Sequence, residues 1–284
     1  MRSEGEITNL ILNVAESNDR IRAVLLNGSR ANPKAKKDSF QDYDIVYIVR
    51  EINSFVSDHS WIDVFGDRII LQMPEEMSFG RSETAAFPYL MLFKDGVRID
   101  LTLFPIDELE KFNKDSLAIL LLDKDGLFTN MPEPGEQDYW IKRPTEKEFS
   151  DCCNEFWWVS TNVAKGLYRN EITYAKEMLE IPVRAMFFKI IEWYIGINTN
   201  FSVSFGKGGK FMEGNLDPLL YKKIISTYPD AIAGNIWESL FTMTALFHEL
   251  ALQIAPALHF TYNLTEDENV TGYLNAVYKM TKEK

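Results

Sequence analysis

Apolar and polar positions alternate in the first 130 residues in a way that predicts one helix followed by several strands. Apolar residues recur every three or four positions over 5–18, which is the spacing of an amphipathic helix. The segment 21–26 is short, is rich in branched side chains and ends in an Asn-Gly-Ser turn, so it predicts a strand. Residues 43–49 are apolar almost throughout, as in a central strand buried on both faces. Further strands are predicted at 68–73, 87–93, 97–105 and 119–123, of which the last could instead end a helix.

The second half of the chain changes to a helical period. Before that change, the turn Lys94-Asp95-Gly96 joins two strand candidates as a hairpin would, and the irregular strand spacing favours a mixed sheet. Thr145 followed by Glu148 is the signal of a helix capping box, and helical patterns continue from there, interrupted by Gly, Asn and Pro. The predicted fold class is therefore α+β, with a mixed-sheet domain over 1–135 and an all-helical domain over 136–284.

Composition narrows the possible partners. The chain has 284 residues, a hydrophobic fraction of 46% and a formal net charge of −12, so it can bury a substantial core and attracts cations rather than a nucleic-acid backbone. No apolar run approaches the length of about 18 residues that a membrane span needs, and the N-terminus is polar, so we expect a cytoplasmic protein with no membrane partner. Cys152 and Cys153 are adjacent, which suits neither a structural disulfide nor a zinc site.

Two carboxylates stand at the entry of the apolar segment 43–49. Residues i and i+2 of a strand point to the same face, so Asp42 and Asp44 project side by side. Two like charges held close together raise one another's pKa unless a cation lies between them. This pair predicts a site for a hard divalent ion, most plausibly Mg²⁺, although an ordinary acidic strand entry remains the alternative for the pair alone.

The neighbouring segments strengthen the metal interpretation. Gly28 and Ser29 end the preceding strand. A residue without Cβ lets backbone N–H groups approach a phosphate, and the Ser29 hydroxyl can donate to it. Arg30 adds a permanent charge with a fork suited to phosphate oxygens. Asp100 lies in an otherwise apolar strand and needs a partner. Arg98 could be that partner in a purely structural pair, or Asp100 could lie opposite the first two aspartates and complete a three-carboxylate site.

These residues carry a family resemblance. Gly28-Ser29, the Asp42-x-Asp44 pair and a third aspartate on a later strand resemble the signature of the nucleotidyltransferase superfamily, which includes the DNA polymerase β-type and aminoglycoside nucleotidyltransferases. The longer segments LLNGSRAN, FQDYDIVYIV, GVRIDLTLFP, LLDKDG, QDYWIKRPTEKEFSDCCNEFWWVSTNVAKGLYRNEI and FGKGGKFM resemble the aminoglycoside 6-adenylyltransferases across nearly the whole chain. Members of that family modify streptomycin.

The resemblance implies a polymerase β-like N-terminal domain and an adenylyl-transfer reaction. AMP would pass from MgATP to the 6-hydroxyl of streptomycin, with release of pyrophosphate and inactivation of the antibiotic. Asp42 and Asp44 would hold Mg²⁺, which neutralises charge on the triphosphate. Asp100 is the candidate general base for the attacking hydroxyl, with a third metal ligand as the open alternative.

The resemblance also places part of the helical domain near the nucleotide. Lys165 and Arg169 would bind the triphosphate and Glu171 the cationic aminoglycoside, although a solvated basic helix face is an alternative for the first two. Acidic residues with aromatic faces suit a substrate that carries guanidinium groups. Aromatic walls could come from three tryptophans for which core packing is the favoured expectation, Trp157, Trp158 and Trp193.

Two rival functions stay open at this point. The same fold could transfer a nucleotide to another small-molecule or protein hydroxyl, or the chain could bind nucleotides without catalysis, although a pure binder has no need of all three aspartates. The glycine-rich stretch 206–210 lacks the spacing of a phosphate-binding P-loop, and the three histidines match no metal-ligand spacing. The sequence does not indicate an oligomeric state.

Overall fold

The computed structural model describes residues 1–79 and 85–283. The chain divides into two compact units, Met1–Asp138 and Tyr139–Lys284. The first combines strands with a few helices and the second is helical, so the predicted α+β class is confirmed. The strands are β1 Ile21–Asn27, β2 Tyr43–Val49, β3 Arg68–Gln72, β4 Phe87–Phe93, β5 Arg98–Pro105 and β6 Ala118–Asp123. The helices are α1 Glu4–Ser17, α2 Asn53–Val56, α3 Glu146–Tyr168, α4 Ile172–Met178, α5 Arg184–Asn198, α6 Pro218–Ile225, α7 Ala233–Leu258 and α8 Leu264–Lys282.

The first unit is built on a six-stranded sheet in the order β3-β4-β5-β2-β1-β6. The β2–β5 pair is parallel and the other four pairs are antiparallel, so the sheet is mixed, as the strand spacing predicts. The hairpin between β4 and β5 forms at the predicted turn, where the N–H of Phe93 donates to Val97 and the N–H of Gly96 donates to Phe93. Gly96 has a φ of +84°, a conformation that glycine adopts without steric cost.

Strand β2 lies in the interior of the sheet and is buried on both faces. Ile45 and Tyr47 contribute to one hydrophobic cluster, which also contains residues of α1. Val46 and Ile48 contribute to a second cluster on the opposite face. A strand covered on both sides can be apolar at every position, which explains the nearly unbroken run in the sequence. The polar residue at the start of this strand, Asp44, lies between the neighbouring strands β1 and β5.

The second unit packs its helices around one large hydrophobic cluster. Helix α3 begins with the predicted capping box, in which the Thr145 side chain accepts from the N–H of Glu148 and the Glu148 carboxylate accepts from the N–H of Thr145. The segment after Glu171 is helical as predicted, and the π-helical turn Leu179–Val183, which contains Pro182, divides it into α4 and α5 without leaving the helical backbone. None of the helices formed by the described residues combines the length and the apolar character needed to cross a membrane.

Helix α8 has no counterpart in the sequence prediction. Asp267, Leu274 and Val277 are its buried residues, so the apolar stripe is short and contains a carboxylate. A helix with so few apolar positions gives a weak periodic signal. Its position is set by packing against α3, which the sequence does not reveal.

Candidate active site

Three aspartates come together at one end of the central strands. In the parallel β2–β5 pair, Asp44 lies directly opposite Asp100. Asp42 lies just before the first residue of β2, and its charge contributes to the raised pKa of Asp44, so the two carboxylates are close enough to interact. On the other side of β2, Asp44 is paired with Asn27 at the end of β1. The sheet therefore places the predicted metal ligands and the predicted base on neighbouring strands.

Gly28 is required by its contact with Asp44. Its φ is +71°, and a Cβ added there would lie only 2.2 Å from Oδ2 of Asp44, far inside van der Waals contact. The N–H of Gly28 donates to the carbonyl oxygen of Leu117 at 3.0 Å, so this N–H already has an acceptor. Phosphate binding at the turn stays a prediction, and the Oγ of Ser29, one of its candidate donors, lies 3.4 Å from Nε2 of Gln41.

Arg30 shapes the loop that presents Asp42. Its Nη2 donates to the carbonyl of Gln41 at 2.9 Å, and its Nε donates to the carbonyl of Asp42 at 3.1 Å. The guanidinium carbon also lies 3.7 Å from the centre of the Tyr43 ring, a cation–π contact. A phosphate contact by Arg30 stays a prediction, and it would require the guanidinium to exchange these partners.

Burial and like charge raise the pKa values of the paired carboxylates. Burial is the main cause for Asp44, and the charges of Asp100 and Asp42 add to it, so the pKa of Asp44 rises to about 6. Burial also raises the pKa of Asp42, against the opposing charge of Arg98. A cation among these carboxylates would offset their mutual repulsion, and this is the electrostatic setting in which a divalent ion binds.

Arg98 places a positive charge among the aspartates. Its Nε donates to Oδ1 of Asp100 at 2.8 Å and its Nη2 donates to Oδ2 at 2.6 Å, so the fork covers both oxygens of that carboxylate. Nε also lies 3.6 Å from Oδ2 of Asp42. The hydrogen bond to Asp100 raises the pKa of Arg98, and the charges of Asp42 and Asp44 act in the same direction.

The oxygen atoms of the site are of the kind that binds a hard divalent ion, but they are not gathered around one point. Carboxylate oxygens are the ligands Mg²⁺ prefers, and Oδ1 of Asn27 is buried beside them with no hydrogen-bond partner in the structure described. Among residues 1–79 and 85–283, however, no three His, Cys, Asp or Glu side chains stand close enough together to hold a metal ion. The guanidinium of Arg98 instead covers both oxygens of Asp100, so a cation of the protein itself is paired with this carboxylate.

The predicted nucleotide and substrate residues of the helical unit lie at the end of α3. Lys165 is in its last turn, and Arg169 caps its C-terminus. Glu171 follows, with one oxygen 4.0 Å from Nη1 of Arg169, and both side chains are about half exposed. An exposed pair at this distance is weak, so either partner can bind a ligand at little cost. The roles of all three residues stay predictions.

The tryptophans separate into two groups. Trp157 and Trp193 are buried in the core of the helical unit, as expected. Trp158, on the opposite side of α3, is 69% exposed, so the expectation of core packing is wrong for this residue. The two neighbours differ because successive helical positions are rotated by about 100°, and only one of them falls on the buried stripe.

Sequence reasoning missed two residues of the site. Asn27 immediately precedes Gly28-Ser29, and its pairing with Asp44 could have been suspected from that position. Asp115 lies in the loop before β6, and its charge contributes to the raised pKa of Asp44. No local signal marks Asp115, because it reaches the site only through the antiparallel pairing of β6 with β1.

Comparisons with known proteins establish the family of the chain. A family model described as streptomycin adenylyltransferase matches residues 1–277. The chain is 42% identical over 275 residues to an aminoglycoside 6-adenylyltransferase of Campylobacter jejuni, covering 96% of this chain and 95% of that protein. It is also 42% identical over 285 residues to an aminoglycoside 6-adenylyltransferase of Bacillus subtilis (strain 168), covering 99% and 100%. A crystal structure of an aminoglycoside 6-adenyltransferase from Bacillus subtilis is 40% identical over 98% of this chain and 99% of that one, with a TM-score of 0.49. The match to the family model and the identity to these relatives extend over nearly the whole chain, and the chain therefore belongs to the streptomycin adenylyltransferase family of nucleotidyltransferase enzymes.

Proposed function

We propose that this enzyme transfers AMP from MgATP to a hydroxyl of an aminoglycoside, with streptomycin and its 6-hydroxyl as the first choice, and releases pyrophosphate. The observation that carries the proposal is the register of Asp44 opposite Asp100, beside a glycine turn, in a chain that matches the family from residue 1 to residue 277. The net charge of −12 suits a polycationic substrate. Transfer of AMP to the antibiotic would inactivate it and thereby confer resistance.

The aspartates divide the work at the reacting phosphate. Asp42 and Asp44 would hold Mg²⁺, which when bound would neutralise charge on the triphosphate. Asp100 accepts the proton of the attacking hydroxyl as general base, a role that contributes about 10²- to 10⁴-fold in rate. The absence of a side chain at Gly28 lets the Asp44 carboxylate lie against the turn, and Ser29 offers its hydroxyl to a phosphate oxygen.

The helical unit provides the remaining charges. Lys165 and Arg169 bind the triphosphate, since both present cations at the end of α3. Glu171 binds a cationic group of the aminoglycoside. The exposed face of Trp158 is a further surface on which a guanidinium group can stack, a contact that contributes about 0.5–1 kcal/mol when exposed.

The proposal is tested by following pyrophosphate with the purified protein, ATP, Mg²⁺ and a panel of aminoglycosides. We expect release with streptomycin, and we expect it to fall by at least about 10²-fold in Asp44→Asn and in Asp100→Asn. The matched control is Asp67→Asn, which removes an exposed carboxylate of the same unit that pairs with Lys94, and it should keep wild-type turnover.

Nucleotide binding separates the two roles of the aspartates. Asp44→Asn should weaken Mg²⁺-dependent binding of a non-hydrolysable ATP analogue, whereas Asp100→Asn should leave that binding nearly unchanged while turnover collapses. Equal weakening in both variants would make Asp100 a metal ligand instead of the base. Release with another acceptor and none with streptomycin would replace the substrate, and no release with any acceptor would contradict catalysis.

A further inference from the structure

Arg98 is placed to compete with a metal ion for the carboxylates. It is the first residue of β5 and lies two positions before Asp100, so both side chains project from the same face of the sheet. The fork of Arg98 binds both oxygens of Asp100 at 2.6 and 2.8 Å and lies 3.6 Å from Oδ2 of Asp42. A divalent ion held by Asp42 would need an oxygen that now faces this guanidinium, and a base at Asp100 would need oxygens that the guanidinium now covers.

The surroundings of Arg98 differ from those of a structural arginine in the same protein. Arg184 is buried, donates to Glu180 and Thr227 and stacks on the Tyr228 ring, so many fixed groups hold it. Arg98 instead has two carboxylates as partners, and 45% of its side chain is exposed. A two-pronged, charge-assisted pair such as Arg98–Asp100 is among the stronger hydrogen-bonded contacts, so its exchange needs a competing cation for the carboxylates and a second anion for the guanidinium.

We propose that Arg98 is an exchangeable counter-ion of the site. Where Asp42 and Asp44 hold Mg²⁺, the guanidinium would leave Asp42 and also release Asp100, which is then free to act as the base. The released guanidinium would bind the triphosphate that arrives with the metal. Phosphate is a suitable second partner because its oxygens match the same bidentate fork that a carboxylate does. The inference rests on the proposed nucleotidyltransferase function of this site.

This exchange couples the binding of metal and nucleotide. Without nucleotide, Mg²⁺ must displace Arg98 with no new partner for the guanidinium, so metal binding is weak. With nucleotide present, the guanidinium gains a phosphate, so metal binding is strengthened. By linkage, the metal strengthens nucleotide binding by the same factor.

The test measures Mn²⁺ binding, as a probe for Mg²⁺, by electron paramagnetic resonance of the free ion with and without a non-hydrolysable ATP analogue. In Arg98→Gln we expect the Kd for Mn²⁺ without analogue to fall about tenfold, the effect of about 1.4 kcal/mol. We expect the strengthening of Mn²⁺ binding by the analogue to shrink by a similar factor. Arg50→Gln is the matched control, because Arg50 has a similarly exposed side chain and pairs with Asp125 outside the site.

The outcomes distinguish this inference from the proposed function. If Arg98→Gln binds Mn²⁺ as wild type does, with the same enhancement by the analogue, the exchange is wrong while metal binding at the site stands. If neither protein binds Mn²⁺ even with the analogue, both the exchange and the proposed function fail. Arg98→Lys provides a second variant if the first is poorly folded, and it should show a smaller rise in Mn²⁺ affinity, because an ammonium group cannot cover both oxygens of Asp100.

Discussion

Replacing Gly28 by alanine tests the proposed geometry most directly. The new Cβ would lie 2.2 Å from Oδ2 of Asp44, so the carboxylate must withdraw by about 1 Å to restore ordinary contact. A displacement of that size at a reacting centre costs about 10²-fold in rate. We therefore expect Gly28→Ala to fold but to lose at least that much pyrophosphate release.

The cost in stability has two parts. An alanine at the φ of +71° costs about 1–2 kcal/mol, partly offset by about 0.4–1 kcal/mol from the reduced freedom of the unfolded chain. Moving the Asp44 side chain off its preferred rotamer adds about 0.5–1.5 kcal/mol. Urea unfolding of Gly28→Ala should therefore show a loss of about 0.5–3 kcal/mol in the free energy of unfolding.

Gly126 offers a matched control. Its φ is +67°, and a Cβ there would meet no atom within 4 Å, so Gly126→Ala carries the backbone cost without the contact. We expect Gly126→Ala to lose about 1 kcal/mol or less and to keep wild-type turnover and metal affinity. Wild-type turnover in a folded Gly28→Ala protein would refute the claim that the position of the Asp44 carboxylate depends on this glycine.

Three further predictions follow from the remaining charged and buried groups. The pKa of Asp44 is raised to about 6, so ionising this carboxylate destabilises the folded protein. The free energy of unfolding of the wild type, relative to that of Asp44→Asn, should therefore fall as the pH rises from about 4 to about 6 and level off above. Urea unfolding with a chelator present measures this difference, and a difference that does not change with pH would contradict the prediction. Burial raises the pKa of Cys152 to about 12 and also raises that of Cys153, so neither thiol should react with a thiol reagent at pH 8 until the protein unfolds, and rapid labelling of the folded protein would show that they are accessible. Arg184→Met should lower the free energy of unfolding by about 3 kcal/mol, because it leaves the groups around a buried guanidinium unpaired. The control Lys189→Met removes an exposed ion pair and should cost less than about 1 kcal/mol. Similar losses in the two variants would contradict the structural role of Arg184.

Local patterns determined most of the elements of this protein. The strand predicted at 43–49 has those bounds in the structure, because a strand buried on both faces leaves an apolar run that ends where burial ends. The capping box at Thr145 and the hairpin turn before β5 were likewise readable, since each depends on residues a few positions apart. Helix α8 was not predicted, because it has few buried apolar positions and therefore a weak periodic pattern.

Long-range pairing decided what the site contains. The sequence singled out Asp42, Asp44 and Asp100 as candidates, but strand register is a property of the folded sheet, and only that register places Asp44 opposite Asp100. The contact between Arg98 and Asp100 also lay outside the sequence, because an arginine two residues from an aspartate can point to water or to the carboxylate. The sequence by itself thus determined the chemical groups and the family, through local spacing and resemblance. The tertiary structure decided their distances, burial and charge partners, because these depend on segments far apart in the chain.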